Sequence, residues 1–265
     1  MLSSRSSAVV ALAAAALLGA AAPAAAAPTA AGGYAALGDS YSSGTGAGSY
    51  GDSGGCKRSA NSYAQRWADS HGPASFSFVA CSGAVTADVL ANQVSALTAD
   101  TSLVTISIGG NDAGFADVMI DCNLGSDATC VAGNQGAQSF ARTTLPGRLD
   151  GVYSQIAARA PAAQVVVFGY PHIYQLNGSC GIGLSETKRA AINQSSDVLA
   201  EVISAKAAAY GFTFVDGRTA FAGHEICASG DRWLNSVTVP VDESYHPTAT
   251  GQGSGYYPAL TAVTG

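Results

Sequence analysis

Residues 34–44 read YAALGDSYSSG. Small and apolar residues run into Gly-Asp-Ser, and a polar stretch follows. That order predicts a buried strand, a tight turn and a serine hydroxyl at the strand's carboxyl end. Gly38 permits the sharp backbone path such a corner needs. Three further runs share the pattern: FSFVA (76–80) leads into CSGA, LVTISI (103–108) into GGND, and QVVVFG (164–169) into Tyr-Pro. FTFV (212–215) predicts a fifth strand. Helical stretches lie between. NSYAQRWADS (61–70) starts on Asn61, a capping residue type. The stretch 185–210 begins Ser-Glu-Thr-Lys and repeats apolar residues at Ala191, Ile192, Val198, Leu199, Val202 and Ile203. Continuous apolar strands alternating with helices predict a parallel sheet covered on both faces. In open sheets of this kind, ligand sites form beyond the carboxyl ends of the strands. The turns at 38–40, 81–83 and 109–112 all belong there.

The chain opens with Arg5, an apolar run from about Ala8 to Ala22, and the small-residue stretch PAAAAP. This is the order of a secretory leader, and the run is too short and too alanine-rich for a membrane span. Cleavage is expected near Ala27, leaving residues 28–265 as one domain. Without Arg5 that domain holds 11 basic against 18 acidic side chains, a net charge of −7. No basic cluster exceeds Lys57-Arg58, which argues against a nucleic-acid partner. All six cysteines fall in the domain, and an even count in an exported chain suggests three disulfides. Six cysteines allow 15 pairings. The sequential one is expected: Cys56–Cys81, Cys122–Cys130 and Cys180–Cys227. No Cys-x-x-Cys occurs and the four histidines are scattered, so a metal site is not indicated.

Gly-Asp-Ser occurs twice, ending at Ser40 and at Ser53. GDSGG (51–55) matches the serine surroundings of chymotrypsin-like proteases and the G-x-S-x-G elbow of α/β-hydrolases. Its context argues against both. No histidine precedes His71, and TGAGSY before it is no strand. Ser40 follows a strand, and three later segments supply what a reactive serine needs. ACSGA (80–84) offers a bare peptide N–H at Gly83. SIGGND (107–112) offers the amide of Asn111. DESYHPT (242–248) offers His246 as a base.

ALGDSYSSG, CSGA, GGNDAGF and SYHPT together resemble the successive blocks of the GDSL, or SGNH, hydrolases. The likeness covers nearly the whole domain and is greatest to secreted actinomycete lipases and phospholipases A1. It implies a three-layer α/β/α sandwich with a central, mainly parallel, flavodoxin-like sheet. It also implies carboxylic ester hydrolysis through an acyl-enzyme. By the resemblance, Ser40 is the nucleophile and His246 the general base. The backbone N–H groups of Ser40 and Gly83 and the side chain of Asn111 form the oxyanion hole. Many members carry Asp three residues before the histidine; here Glu243 stands there. The alternative is the main-chain carbonyl of Ser244, two residues before His246, as the group that orients the ring. No metal or cofactor is implied. The expected partner is an acyl ester or lipid substrate, the expected location extracellular, and the expected state a monomer without a membrane anchor. A substrate of acylated polysaccharide or plant ester polymer is a second reading, and a catalytically dead binding protein a third. Activity is expected to fall below about pH 6, where an ordinary imidazole protonates.

Other residues invite ordinary roles. Asp39 and Asp112 read as turn carboxylates that bond nearby amides. His172 reads as a loop residue in solvent, His224 as a neighbour of a disulfide, and His71 as a helix-terminal cation. Trp67, Trp233, Tyr256 and Tyr257 read as packing.

Overall fold

Tyr34 to Leu37 are buried on both sides of their strand, which places β1 (Gly33–Gly38) inside the sheet. The structure, a computed structural model, describes residues 1–2 and 32–265; apart from its first two residues, the leader expected over 1–27 lies outside them. The sheet is completed by β2 (Ser75–Phe78), β3 (Thr101–Ser107), β4 (Gln164–Phe168) and β5 (Thr213–Val215). Its order is β2-β1-β3-β4-β5 and every pairing is parallel. From β1 the chain crosses to one side to form β2, then returns across to form β3 on the other side. The carboxyl ends of β1 and β3 therefore bound the topological switch point, where open α/β sheets place their ligands.

Among the described residues the α-helices are α1 (Ser40–Ser43), α2 (Tyr63–His71), α3 (Thr86–Asp88), α4 (Phe115–Leu124), α5 (Asp127–Thr143), α6 (Leu145–Arg159), α7 (Glu186–Ala209), α8 (Gly217–Ala220) and α9 (Tyr257–Thr264). The terminal helix α9 packs beside α2, whereas α5, α6 and α7 pack together. With the five-stranded sheet between helices, this is the expected α/β/α layering. Helix α2 starts one residue later than its sequence suggests. The Ser62 hydroxyl accepts from the Gln65 amide, while the Asn61 side chain is drawn away to the Ala47 carbonyl. Strand β2 ends two residues early, because the amides of Val79 and Ala80 both turn to the Ala36 carbonyl and the ladder stops. Helix α7 starts on Ser185 as its sequence indicates, with the Lys188 amide bonded to that hydroxyl.

The six cysteines are joined as Cys56–Cys81, Cys122–Cys130 and Cys180–Cys227. The first ties the Gly/Ser-rich loop after α1 to the end of β2. No helix among the described residues is long and apolar enough to cross a membrane.

Candidate active site

The corner after β1 sets the position of Ser40. Gly38 pairs with Ser107 on β3 and takes φ +117°. A Cβ there would collide with the Ser107 backbone carbonyl, so only glycine lets the two strand ends approach this closely. Asp39 then caps α1, its Oδ1 accepting from the Tyr41 amide at 3.0 Å. The Ser40 Oγ lies 2.7 Å from the Nε2 of His246, 206 residues away. On the other side of that ring, Nδ1 lies 2.9 Å from the Ser244 carbonyl oxygen. A carbonyl can only accept, so Nδ1 carries the proton and Nε2 is left to accept from the serine hydroxyl. Glu243 faces elsewhere: its carboxylate lies 3.3 Å from Lys57 Nζ, which also holds Asp242 at 2.7 Å.

The histidine loop is tied to the nucleophile corner. The Tyr41 hydroxyl donates to the Tyr245 carbonyl at 2.7 Å, and its ring centroid lies 5.3 Å from that of His246. Desolvation pushes the His246 pKa down to about 4, against the pull of the Ser244 carbonyl, which raises it. That direction places the titration of the ring below the value near 6 expected of an ordinary imidazole. The desolvation of the ring is a tertiary property that its neighbours in sequence do not reveal.

Two further corners complete the site. Gly83, at φ +80°, follows Cys81, whose amide donates to the Gly38 carbonyl. Nothing lies within 4 Å of where a Gly83 Cβ would stand. Neither the Ser40 nor the Gly83 amide has an acceptor among the described residues. Asn111 follows β3, and one N–H of its side-chain amide donates to the Ala84 carbonyl at 3.0 Å. The second amide N–H is free for a ligand. Ser40, Gly83, Asn111 and His246 all line one open cleft.

Both aspartates do more than shape local turns. The fully buried Asp112 carboxylate accepts from the amide and hydroxyl of Thr86, at 2.9 and 2.6 Å, and from Arg148 at 2.9 Å. It thereby fastens the Asn111 corner to the Gly83 corner. Asp39 accepts from the Ser107 hydroxyl at 2.7 Å and from the Tyr170 hydroxyl at 2.5 Å, besides the Tyr41 amide. Burial pushes its pKa up to about 6, and the hydrogen bonds from Tyr170, Ser107 and Tyr41 oppose that rise. Tyr170 in turn accepts from the Gly110 amide at 3.0 Å. One phenol thus joins the serine corner to the Asn111 corner. Its place in the turn directly after β4 is the signal the sequence carries for this role.

From Ser40 a second, narrow chamber runs inward between α4, α5 and α7, lined by Phe115, Val118, Met119, Ala137, Ile173, Ile192 and Leu199 among others. Phe115, Met119, Asn111 and Ser40 border both this chamber and the open cleft. All of these apolar residues except Ile173 sit on α4, α5 or α7.

The remaining candidates lie away from this cleft. Ser53 donates to the Tyr50 carbonyl and accepts from the Arg58 amide, as a turn serine does. His172 pairs with Asp197 at 2.8 Å in a separate groove, instead of standing free in solvent. His224 stacks on Trp233, and His71 on Trp67, where the Trp67 indole N–H donates to Thr264. Tyr256 is buried against Phe168 and Tyr63, one residue before α9 begins.

A serine hydroxyl in contact with an imidazole, at the switch point of a parallel sheet covered by helices, is the arrangement of an α/β/α serine hydrolase. Residues 36–253 match the model of the GDSL-like Lipase/Acylhydrolase family, and the chain belongs to that family. It is a carboxylic ester hydrolase. It is 57% identical over 233 residues to Lipase 1 of Streptomyces coelicolor, spanning 87% of this chain and 86% of that one. Its fold superposes on the phospholipase A1 of Streptomyces albidoflavus NA297 with TM-score 0.85 and 57% identity, over 88% of this chain and 99% of that one. The extracellular lipase of Streptomyces rimosus gives TM-score 0.86 and 56% identity, over 88% of this chain and all of the other.

Proposed function

We propose that this enzyme is exported and hydrolyses the acyl esters of lipids, with Ser40 as nucleophile and His246 as general base. The observation that carries the reading is the 2.7 Å contact between Ser40 Oγ and His246 Nε2 at the junction of an apolar chamber and an open cleft. Ser40 attacks the ester carbonyl while Nε2 takes its proton. The tetrahedral oxyanion is held by the free amides of Ser40 and Gly83 and the free N–H of Asn111. As the carbonyl reforms, Nε2 returns the proton to the leaving alcohol. Water, deprotonated by the same nitrogen, then attacks the acyl-enzyme and releases the carboxylic acid. The Ser244 carbonyl keeps the proton on Nδ1 throughout.

An acyl chain suits the apolar lining on both sides of Ser40. The similar Streptomyces proteins are a lipase and a phospholipase A1, which points the same way. Export is supported by the three disulfides, which persist in oxidising surroundings, and by the extracellular relative. The test is a series of p-nitrophenyl esters of rising chain length, with phosphatidylcholine and triglyceride in parallel. kcat/KM that rises from acetate to longer chains supports the reading. A preference for acetylated sugars over every acyl lipid sinks it.

Two further outcomes are expected. Glu243→Gln should change kcat by less than about threefold, because its carboxylate is bonded to Lys57 while the Ser244 carbonyl, not Glu243, holds Nδ1 of His246. A loss of orders of magnitude with the fold intact would make Glu243 the group that orients His246. The pH profile of kcat/KM is the second. A general base works when neutral, and a depressed pKa keeps His246 neutral into acid. The acid limb should therefore fall near pH 4 rather than 6. A half-maximal point near 6.5 in a stably folded enzyme would show that the ring is hydrated in solution.

A further inference from the structure

Five exposed apolar side chains lie on two segments that border the cleft. Ile120 and Leu124 lie one helical turn apart on α4, 55% and 84% exposed; Val237, Val239 and Val241 follow on the facing loop, 62%, 94% and 74% exposed. The loop is not a loose strand end. The Thr238 amide is bonded to the Ser244 hydroxyl, and the amides of Glu243 and Ser244 return to the carbonyls of Pro240 and Val241. The valines are thus displayed by the same hydrogen-bonded turn that carries the Ser244 carbonyl. Ile120, Leu124, Val237 and Val241 also line the cleft, so the apolar rim is continuous with the path to Ser40.

We propose that this rim is a docking surface for the face of an uncharged or zwitterionic lipid aggregate. The inference rests on the acyl-lipid reading above. Scattered exposed apolar residues are ordinary, but four that line one reaction cleft, with Val239 between two of them in the chain, form a patch with a use. The charges nearby select the kind of lipid. Asp117 and Asp121 are exposed on α4 beside Ile120, and Asp242 is 58% exposed beside Val241. The neighbouring cations are engaged: Lys57 by Asp242 and Glu243, and Lys188 by the Cys122 and Gly125 carbonyls. With a net charge of −6 and no lysine or arginine among the described residues that line the cleft, the rim offers anionic headgroups little attraction. Attachment must come from burying the apolar side chains, which a neutral interface allows.

The test uses full-length protein carrying Ser40→Ala, so docking is read without catalysis and its failure is distinct from failure of the ester chemistry. This protein should co-sediment with phosphatidylcholine vesicles and stay bound at high salt. Adding Val239→Asp should lower partition about tenfold, since a carboxylate then enters the interface. With Ser40 intact, Val239→Asp should hydrolyse soluble p-nitrophenyl acetate as the parent does, which shows that the fold is kept. Val239→Trp should shift its fluorescence to the blue when vesicles are added. Unchanged partition for Val239→Asp, or no shift for Val239→Trp, overturns the proposal. So does binding that appears only on phosphatidylserine vesicles and disappears in salt.

Discussion

Ser40→Ala is expected to lower kcat on a p-nitrophenyl ester by roughly 10³-fold or more, while Ser53→Ala retains most of the parent activity. Both serines sit in Gly-Asp-Ser, so local sequence does not separate them. Their surroundings do. Ser40 contacts the only ring nitrogen of His246 free to accept its proton, and two amides without acceptors face the same cleft. Ser53 is spent on a turn, bonded to Tyr50 and Arg58. Removing the Ser40 oxygen leaves no covalent intermediate, and its chain neighbours Ser42 and Ser43 point into the core, toward Tyr63, Ser107 and Thr45. Steady-state kinetics of the purified variants, with thermal unfolding to show that both fold, makes the comparison. Comparable losses in the two variants would mean that the wrong serine had been chosen.

Asn111→Ala is expected to lower kcat by about 10²–10³-fold with KM nearly unchanged. One amide N–H is committed to the Ala84 carbonyl, which fixes the side chain. The other is free to meet an oxygen that becomes fully charged only in the tetrahedral state. An interaction made chiefly with the transition state appears in kcat and not in KM. Gly83 and Ser40 would still donate, so the loss should fall short of that in Ser40→Ala. A variant whose KM rises while kcat holds would show that Asn111 binds substrate and does not stabilise the oxyanion.

How much of this was readable beforehand follows from the range of each interaction. The strands announced themselves because a strand covered on both faces must be apolar throughout, as Ala35, Ala36 and Val165 to Phe168 are. The corners announced themselves because glycine and small polar residues must follow each strand. Those two signals, taken in order, were enough to bring Ser40, Gly83 and Asn111 to one edge of the sheet. The helix starts were less secure. Asn61 and Ser62 are both good caps, and the choice between them went to the residue not claimed by the distant Ala47 carbonyl.

Long-range partners stayed hidden in principle. Asp39 looks like a turn residue, and in part it is one. Its second oxygen is held by Tyr170, 131 positions away, and burial raises its pKa. Glu243 and the Ser244 carbonyl both stood within reach of His246 along the chain; Lys57, 186 residues from Glu243, drew the carboxylate aside. Residue order therefore specifies which elements form and which chemistry stands at their ends, since strand burial and turn geometry act over a few neighbours. The tautomer and depressed pKa of His246, the tie through Tyr170 and the apolar rim around the cleft depend on segments up to two hundred residues apart. Only packing sets their distances and desolvation, so only the folded chain could decide them.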